Sequence, residues 1–263
     1  MPIPKKSLGQ NFLMHAQIAE RIAKAAELPE NAYVLEIGPG TGMLTKPLLA
    51  IGASVIAVEA DGSLMEELSE KFATEIGSGK LSLINEDIRT FDPNQLPEEY
   101  HIVANIPYYI TGEIIRRFLS ASHKPRSMTL LVQREVAVRI ARTKKESLLS
   151  LSVKIFGTPS YCFTVPRGAF FPAPNVDSAV ITIQNISDIA FSGGFTEEVF
   201  FSIIKTGFAH KRKQLAKNLE DLFTSESIKA ALVSAELRPD IRPEDLSLED
   251  WKKIAHEVKS NEK

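Results

Sequence analysis

Short apolar runs that alternate with stretches of helical spacing constrain this chain more than any other feature. The runs fall at Tyr33–Ile37, Ser54–Val58, 81–84, Tyr100–Ala104 and 127–132. Between or after them come a stretch through Leu44, Leu48 and Leu49, and the segments 62–73, 111–119 and 133–141. Such alternation with short connections predicts a mostly parallel, doubly wound α/β sheet of Rossmann-like type. Residues 148–156, 160–165 and 178–184 read as further β segments that close the sheet in antiparallel fashion. Ahead of it, residues 1–13 read as an extended arm. Residues 16–27 carry Ile18, Ala19, Ile22, Ala23 and Ala26 at helical spacing before Pro29. After Ile186 the character changes. Ser187–Thr196 is a polar linker, followed by short helical segments at 197–208, 211–222, 226–234 and 247–257. A length of 263 residues accommodates two domains, at roughly 100–200 residues each. The expectation is a sheet domain over 1–186 and a small all-helical domain over 187–263.

A net charge of −2 does not by itself point to nucleic acid. The distribution of charge does. Lys205–Lys217 holds five Lys or Arg and no acid, and Arg134–Lys145 holds five against Glu135 alone. The acids gather at Glu66, Glu67 and Glu70 and near the C-terminus, so a nearly neutral chain still presents a basic face. Cys162 is the single cysteine, which excludes an internal disulfide framework and a cysteine metal cage; it is expected as a small buried residue. His15, His101, His123, His210 and His256 show no metal-ligand spacing, and no metal is expected. No stretch approaches the ~20 apolar residues of a membrane span. The basic start, Met1–Gly9, has no apolar run behind it, so a cytoplasmic protein without a secretory signal fits.

Chemistry concentrates where strands end. Glu36-Ile37-Gly38-Pro39-Gly40-Thr41-Gly42 is a glycine-rich turn from strand to helix, where backbone without Cβ approaches a ligand closely. A dinucleotide pyrophosphate and the methionine part of a methyl donor both suit it. Glu59 ends the second strand about 20 residues on, where an acid binds ribose hydroxyls of either cofactor. Asp87, after the third, offers an acceptor to an adenine amino group. Asn105-Ile106-Pro107-Tyr108 follows the fourth and decides between the readings. The N6 lone pair of adenine is delocalised into the ring and is a poor nucleophile. Two acceptors facing its N–H groups, the Asn105 side-chain oxygen and the Ile106 carbonyl, favour a pyramidal nitrogen. Pro107 stiffens the turn, and Tyr108 offers a stacking face. Phe171, in the proline-rich loop Phe170–Ser178, is a candidate second wall for the base, and Asn11 and Leu13 are placed to close over the cofactor from the arm. Lys211, Arg212, Lys213 and Lys217, on a basic helix with Leu215 and Leu219, suit phosphate contacts.

Four segments in this order, Gly9–Leu13, Glu36–Gly42, Asn105–Tyr108 and Phe171–Ser178, resemble the motifs of the ribosomal RNA adenine N6,N6-dimethyltransferases. The resemblance covers most of the chain. It implies a Rossmann-like methyltransferase fold that uses S-adenosyl-L-methionine. It implies cofactor contacts at Asn11, Leu13, Gly38, Glu59, Asp87 and Asn105, with Asn105, Tyr108 and Phe171 holding the target adenine. Lys211–Leu219 and Arg242–Ser247 are most similar to the small-subunit branch. That branch dimethylates two adjacent adenosines in a 3′-terminal hairpin loop of 16S rRNA, on the precursor of the 30S subunit; a monomer is expected. The alternatives are the 23S enzyme of the macrolide-resistance type and a non-catalytic assembly or transcription factor on the same fold. A nicotinamide dehydrogenase leaves Asn105–Tyr108 without a use.

Overall fold

The computed structural model describes residues 2–210 and 212–260, with side chains described up to residue 257. The chain forms two compact units, residues 1–141 with 158–186, and residues 142–157 with 187–263. Residues 142–157, expected from the sequence in the first domain, thus group with the helical unit.

In the first unit the parallel strands are β2 (Tyr33–Ile37), β3 (Ser54–Glu59), β4 (Leu81–Asn85), β5 (His101–Asn105) and β6 (Ser127–Gln133). β9 (Ser178–Gln184) runs antiparallel to β6, and β7 (Thr158–Val165) runs antiparallel to β9 and so in the direction of the parallel set; the order is β4-β3-β2-β5-β6-β9-β7. A two-residue strand in the arm, β1 (Phe12–Leu13), pairs with β8 (Phe170–Phe171) in a separate small sheet. The helices of this unit are α1 (Ala16–Ala25), α2 (Thr45–Ala50), α3 (Met65–Lys71), α4 (Ala73–Gly77), α5 (Thr111–Leu119) and α6 (Arg134–Ala141). Parallel neighbours need such crossovers, and helices on the faces bury strands on both sides. Accordingly Val34, Leu35 and Ile37 of β2 and all of Met128–Val132 in β6 are buried. One core joins Ile22 and Leu48 from the helices to Val34, Val55, Val103 and Leu131 from the sheet. It also takes in Phe12 and Leu13, so the arm ends inside the hydrophobic core.

The second unit holds α7 (Leu148–Lys154), α8 (Glu197–Gly207), α9 (Leu215–Leu219), α10 (Ser225–Ser234) and α11 (Leu248–Ser260). Its core is aromatic: Phe195 and Phe200 stack, Phe156 stacks on Phe201, and Phe208 stacks on the fully buried Trp251.

Four local expectations are corrected. Residues 148–156 are not a β segment but contain α7. Ser147 caps this helix by accepting from Ser150 N while Ser150 Oγ accepts from Ser147 N, and Lys154 pairs with Glu146 at 2.5 Å. A reciprocal cap satisfies backbone donors that an apolar run alone leaves open, and it selects helix. The segment 62–73 breaks at Phe72, whose φ of −115° interrupts helix geometry while its ring enters the core. Cys162 is exposed rather than buried. It falls on the exposed face of β7, whose residues alternate between exposed and half-buried from Thr158 to Thr164, and the β7–β9 register shifts there, between Tyr161 and Phe163. Finally, the basic segment 211–222 is helical only over Leu215–Leu219. Arg212 and Lys213 stand in the preceding turn, exposed. Buried Asn218 holds that turn by donating to the carbonyls of Gly207 at 2.5 Å and His210 at 3.2 Å.

Candidate active site

Strand order reverses between β2 and β5, and ligands of such sheets bind beyond the carboxyl ends of strands at that point. A cavity opens there. The arm from Leu8 to Leu13, the turn after β2, the ends of β3 and β5 and the segment after β4 line it. It therefore brings together Asn11, Leu13, Gly38, Glu59, Asp87, Asn105, Ile106 and Tyr108, eight of the candidates named from sequence.

Glycine is required in the first turn. Gly38 has φ of +65°, and the space a Cβ would enter is open cavity. Its amide donates to Val58 O at 2.9 Å, which locks the turn to β3. Glu59 is buried; its carboxylate accepts from Gly40 N at 3.1 Å and Asp61 N at 2.9 Å. Burial raises its pKa against those two bonds. Asn85 donates to the Glu59 carbonyl at 2.7 Å and holds the strand end in place.

Asp87 is partly exposed and already engaged. Arg89 donates to both of its oxygens, from Nη2 at 2.6 Å and from Nε at 3.0 and 3.1 Å. Those bonds hold its carboxyl below the ordinary carboxylate range.

Asn105 is the last residue of β5 and half-buried. Its Nδ2 donates to the Asn11 carbonyl at 3.1 Å. A carbonyl only accepts, so this bond fixes which end of the amide is which and leaves Oδ1 as the acceptor end. The Ile106 amide donates to Leu131 O at 3.3 Å, which carries the ladder one residue past the strand and sets the peptide plane. The Ile106 side chain is buried. Tyr108 bonds through its hydroxyl to Ser178 Oγ at 2.5 Å, with Ser178 fully buried at the start of β9. Burial raises the Tyr108 pKa; the bond from Ser178 opposes the shift and the charge of Asp177 reinforces it.

Phe171 is not among the residues lining this cavity. It is 49% exposed, and its backbone pairs with Phe12 of the arm. Of the basic candidates, Arg212 and Lys213 are exposed in the second unit, and Lys217 pairs with Glu220 at 3.0 Å. Lys211 lies outside the described residues.

Sequence reasoning assigned no role to Glu36, Asp61, Arg89 or Ser178. Glu36 lines the cavity and is 1% exposed, and neither of its carboxylate oxygens has a hydrogen-bond partner among the described residues. A charge inside an otherwise apolar strand was a signal for it. The other three act through partners distant in sequence or engaged by side-chain geometry, which periodicity does not register. Among the described residues no group of three or more His, Cys, Asp or Glu is arranged to hold a metal ion, and no helix is long and apolar enough to cross a membrane.

Comparison with known proteins identifies the family. A family model described as ribosomal RNA adenine dimethylase matches residues 3–260. A ribosomal RNA small subunit methyltransferase A of Dehalococcoides mccartyi is 41% identical, with 98% of this chain and 89% of the relative covered. One from Lactococcus lactis is 39% identical, with 95% and 88% covered. Among solved structures, the 23S rRNA methyltransferase ErmE superposes with a TM-score of 0.76 at 26% identity, covering 94% of this chain and 99% of ErmE. A dimethyladenosine transferase from Plasmodium falciparum reaches 0.78 at 25% identity, covering 92% and 95%. With its glycine turn, its Asn105–Tyr108 segment and these full-length matches, the chain belongs to the ribosomal RNA adenine dimethylase family.

Proposed function

We propose that this chain transfers methyl groups from S-adenosyl-L-methionine to N6 of two adjacent adenosines in a 3′-terminal hairpin loop of 16S rRNA. It acts as a cytoplasmic monomer on the precursor of the 30S subunit. One observation carries the reading: the Asn105 amide, its nitrogen tied to Asn11, lines the same cavity as Gly38 and Glu59. The small-subunit methyltransferase names of the relatives support 16S rRNA as substrate.

The cavity suits the cofactor. Open space at Gly38 admits a ligand against backbone, and the buried Glu36 carboxyl in the same lining has both oxygens free of hydrogen bonds among the described residues. Gly38 would hold the methionine part, Glu59 the ribose hydroxyls, and Asn11 and Leu13 would close the side toward the arm. Asp87 would take the adenine amino group in exchange for one of the four contacts that the Arg89 backbone and guanidinium make with its two oxygens, since a carboxylate offers about four acceptor sites. When bound, the cofactor supplies an electrophilic methyl carbon on a sulfonium.

The chain's own residues orient the nucleophile. Asn105 Oδ1 and the Ile106 carbonyl would accept hydrogen bonds from the two N6–H groups in the first transfer, and one of them from the single N6–H left in the second, which draws the lone pair out of the ring and aims it into the cavity. Tyr108 stacks on the base, held by Ser178. Phe171, outside the cavity in this structure, would complete the stack when the base arrives. The adenine must leave its own stack or lie in a loop, which a hairpin target provides. No side chain with a tuned pKa is needed as base, because the amine grows acidic as it is alkylated. Basic residues Lys211, Arg212, Lys213 and Lys217 would contact phosphates.

The test uses purified protein and labelled cofactor with unmethylated 30S and 50S particles. Label at two adjacent adenosines near the 16S 3′ end is expected. Label in the 50S particle instead would establish the 23S reading, which the likeness to ErmE favours. Asn105→Ala should cost at least about 10²-fold in single-turnover rate, since misplacing a reacting group costs that much, with the melting temperature little changed. Near-normal turnover in that variant would remove Asn105 from the mechanism.

A further inference from the structure

A buried carboxylate ties the arm down upstream of the point where the arm enters the core. Asp61 is 2% exposed. Its carboxylate accepts from Lys5 Nζ at 2.5 Å, Gln10 Nε2 at 2.8 Å, Ser63 Oγ at 2.6 Å and Ser63 N at 3.0 Å. Burial would raise its pKa, but the bonds from Lys5, Ser63 and Gln10 outweigh that and hold it well below the ordinary range. The arm is also closed on itself, with Lys5 N donating to Gln10 Oε1 at 2.7 Å and Asn11 Nδ2 to Gly9 O at 3.1 Å. Gly9, at φ of +60°, lies so close to Tyr109 that a Cβ would stand 2.9 Å from its ring. The next carbonyl along from Gln10, that of Asn11, is the one that accepts from Asn105 Nδ2.

A single path therefore runs from Asp61 through Gln10 and Asn11 to Asn105. A carboxamide freed from the Asn11 carbonyl can turn over and present its N–H2 group where an acceptor is wanted. Donor would then face donor at the target nitrogen. Core burial of Phe12 and Leu13 already anchors the arm at its far end, so the Asp61 bonds are not needed to hold the core together.

We propose that Asp61 is a positioning residue: it latches Lys5 and Gln10, and the latched arm keeps the Asn105 amide oxygen turned toward the substrate. This rests on Asn105 being the base-orienting amide. Because Leu8–Leu13 also line the cavity, the same latch couples enclosure of the cofactor to readiness of Asn105.

The experiment compares wild type, Asp61→Asn, the double variant Lys5→Ala/Gln10→Ala, and Lys5→Arg. It reads amide hydrogen exchange over residues 8–13, the Asn105 side-chain 15N–H2 signal, and kcat on 30S particles at saturating S-adenosylmethionine. In the double variant, arm exchange should rise, and kcat should fall by about tenfold, a size expected for a partly misplaced catalytic group. The Asn105 signal should lose its distinct, slowly exchanging protons, and the protein should stay folded with a lowered melting temperature, because a buried carboxylate loses two of its partners. Asp61→Asn should behave alike, and Lys5→Arg should keep wild-type values. The double variant trims an exposed lysine and a half-buried glutamine of the arm and leaves Asp61 itself in place, so it answers even if Asp61→Asn fails to fold. An unchanged Asn105 signal, or full kcat despite a loosened arm, would overturn the proposal. A wild-type protein that methylates nothing would instead sink the functional reading, while the exchange and Asn105 signals would still test the latch.

Discussion

Tyr108 shows how much one residue's role depends on a partner the local sequence hides. Its place two positions after Ile106 makes it a stacking candidate, yet what holds the ring is Ser178, 70 residues on. The two contributions are separable. Tyr108→Phe keeps the ring and loses one hydrogen bond, worth about 0.5–1.5 kcal/mol. Tyr108→Ala loses the platform as well, and base–aromatic stacking is worth about 1–3 kcal/mol. RNA-dependent kcat/KM should therefore fall less than about tenfold for the first and clearly further for the second. Equal losses in the two variants would deny Tyr108 its stacking role. That Asn105, Ile106 and Tyr108 line one cavity was legible because they stand together at a strand end. That Phe171 stands outside the cavity was not, because strand pairing with the arm sets its position.

Among elements, β2 carries the most unusual group. Glu36 sits in a strand otherwise made to be buried, and burial pushes its pKa up from 4.5 to about 8. The nearby Thr45 hydroxyl opposes the shift without making a well-formed bond, and the charge of Glu59 reinforces it. Between those two pH values the folded protein keeps a proton that the unfolded chain has lost. Stability from this group is thus fully present below 4.5, declines as pH rises and levels off above about 8. Thermal melts of the cofactor-free protein should show this decline, and Glu36→Gln, which carries no titratable proton, should flatten it. A parallel slope in both proteins would mean that Glu36 is ionised in the fold. The strands and most helices of the first unit were legible from periodicity. The helix α7 was not, because an apolar run of that length suits either structure and the choice fell to the Ser147 cap.

Across the whole molecule, RNA affinity is proposed to lie in charge rather than in shape. Arg212 and Lys213 are exposed in a turn that buried Asn218 holds, whereas Lys217 spends part of its charge on Glu220. Replacing Lys211, Arg212 and Lys213 together by Ala should weaken RNA binding. It should also lower the slope of log K against log salt, by about 0.7 for each phosphate of single-stranded RNA left without its cation. Lys217→Ala should have the smaller effect. A slope identical to wild type would place RNA docking elsewhere. The division between units was legible in the change of character after Ile186, but not the transfer of residues 142–157 to the helical unit. Compact packing joins segments that sequence order keeps apart.

The order of motifs along the chain was enough to determine the sheet type, the glycine turn, the Asn105–Tyr108 segment and the family, because each was read from short local patterns and from the sequence in which they follow one another. Tertiary structure alone decided that Asn11 holds the Asn105 amide, that Asp61 holds the arm and that the Glu36 carboxylate is buried without a hydrogen-bond partner among the described residues. The first two are bonds across 94 and 51 residues. Hydrogen bonds and desolvation depend on distance in space, which periodicity and spacing along a chain do not encode.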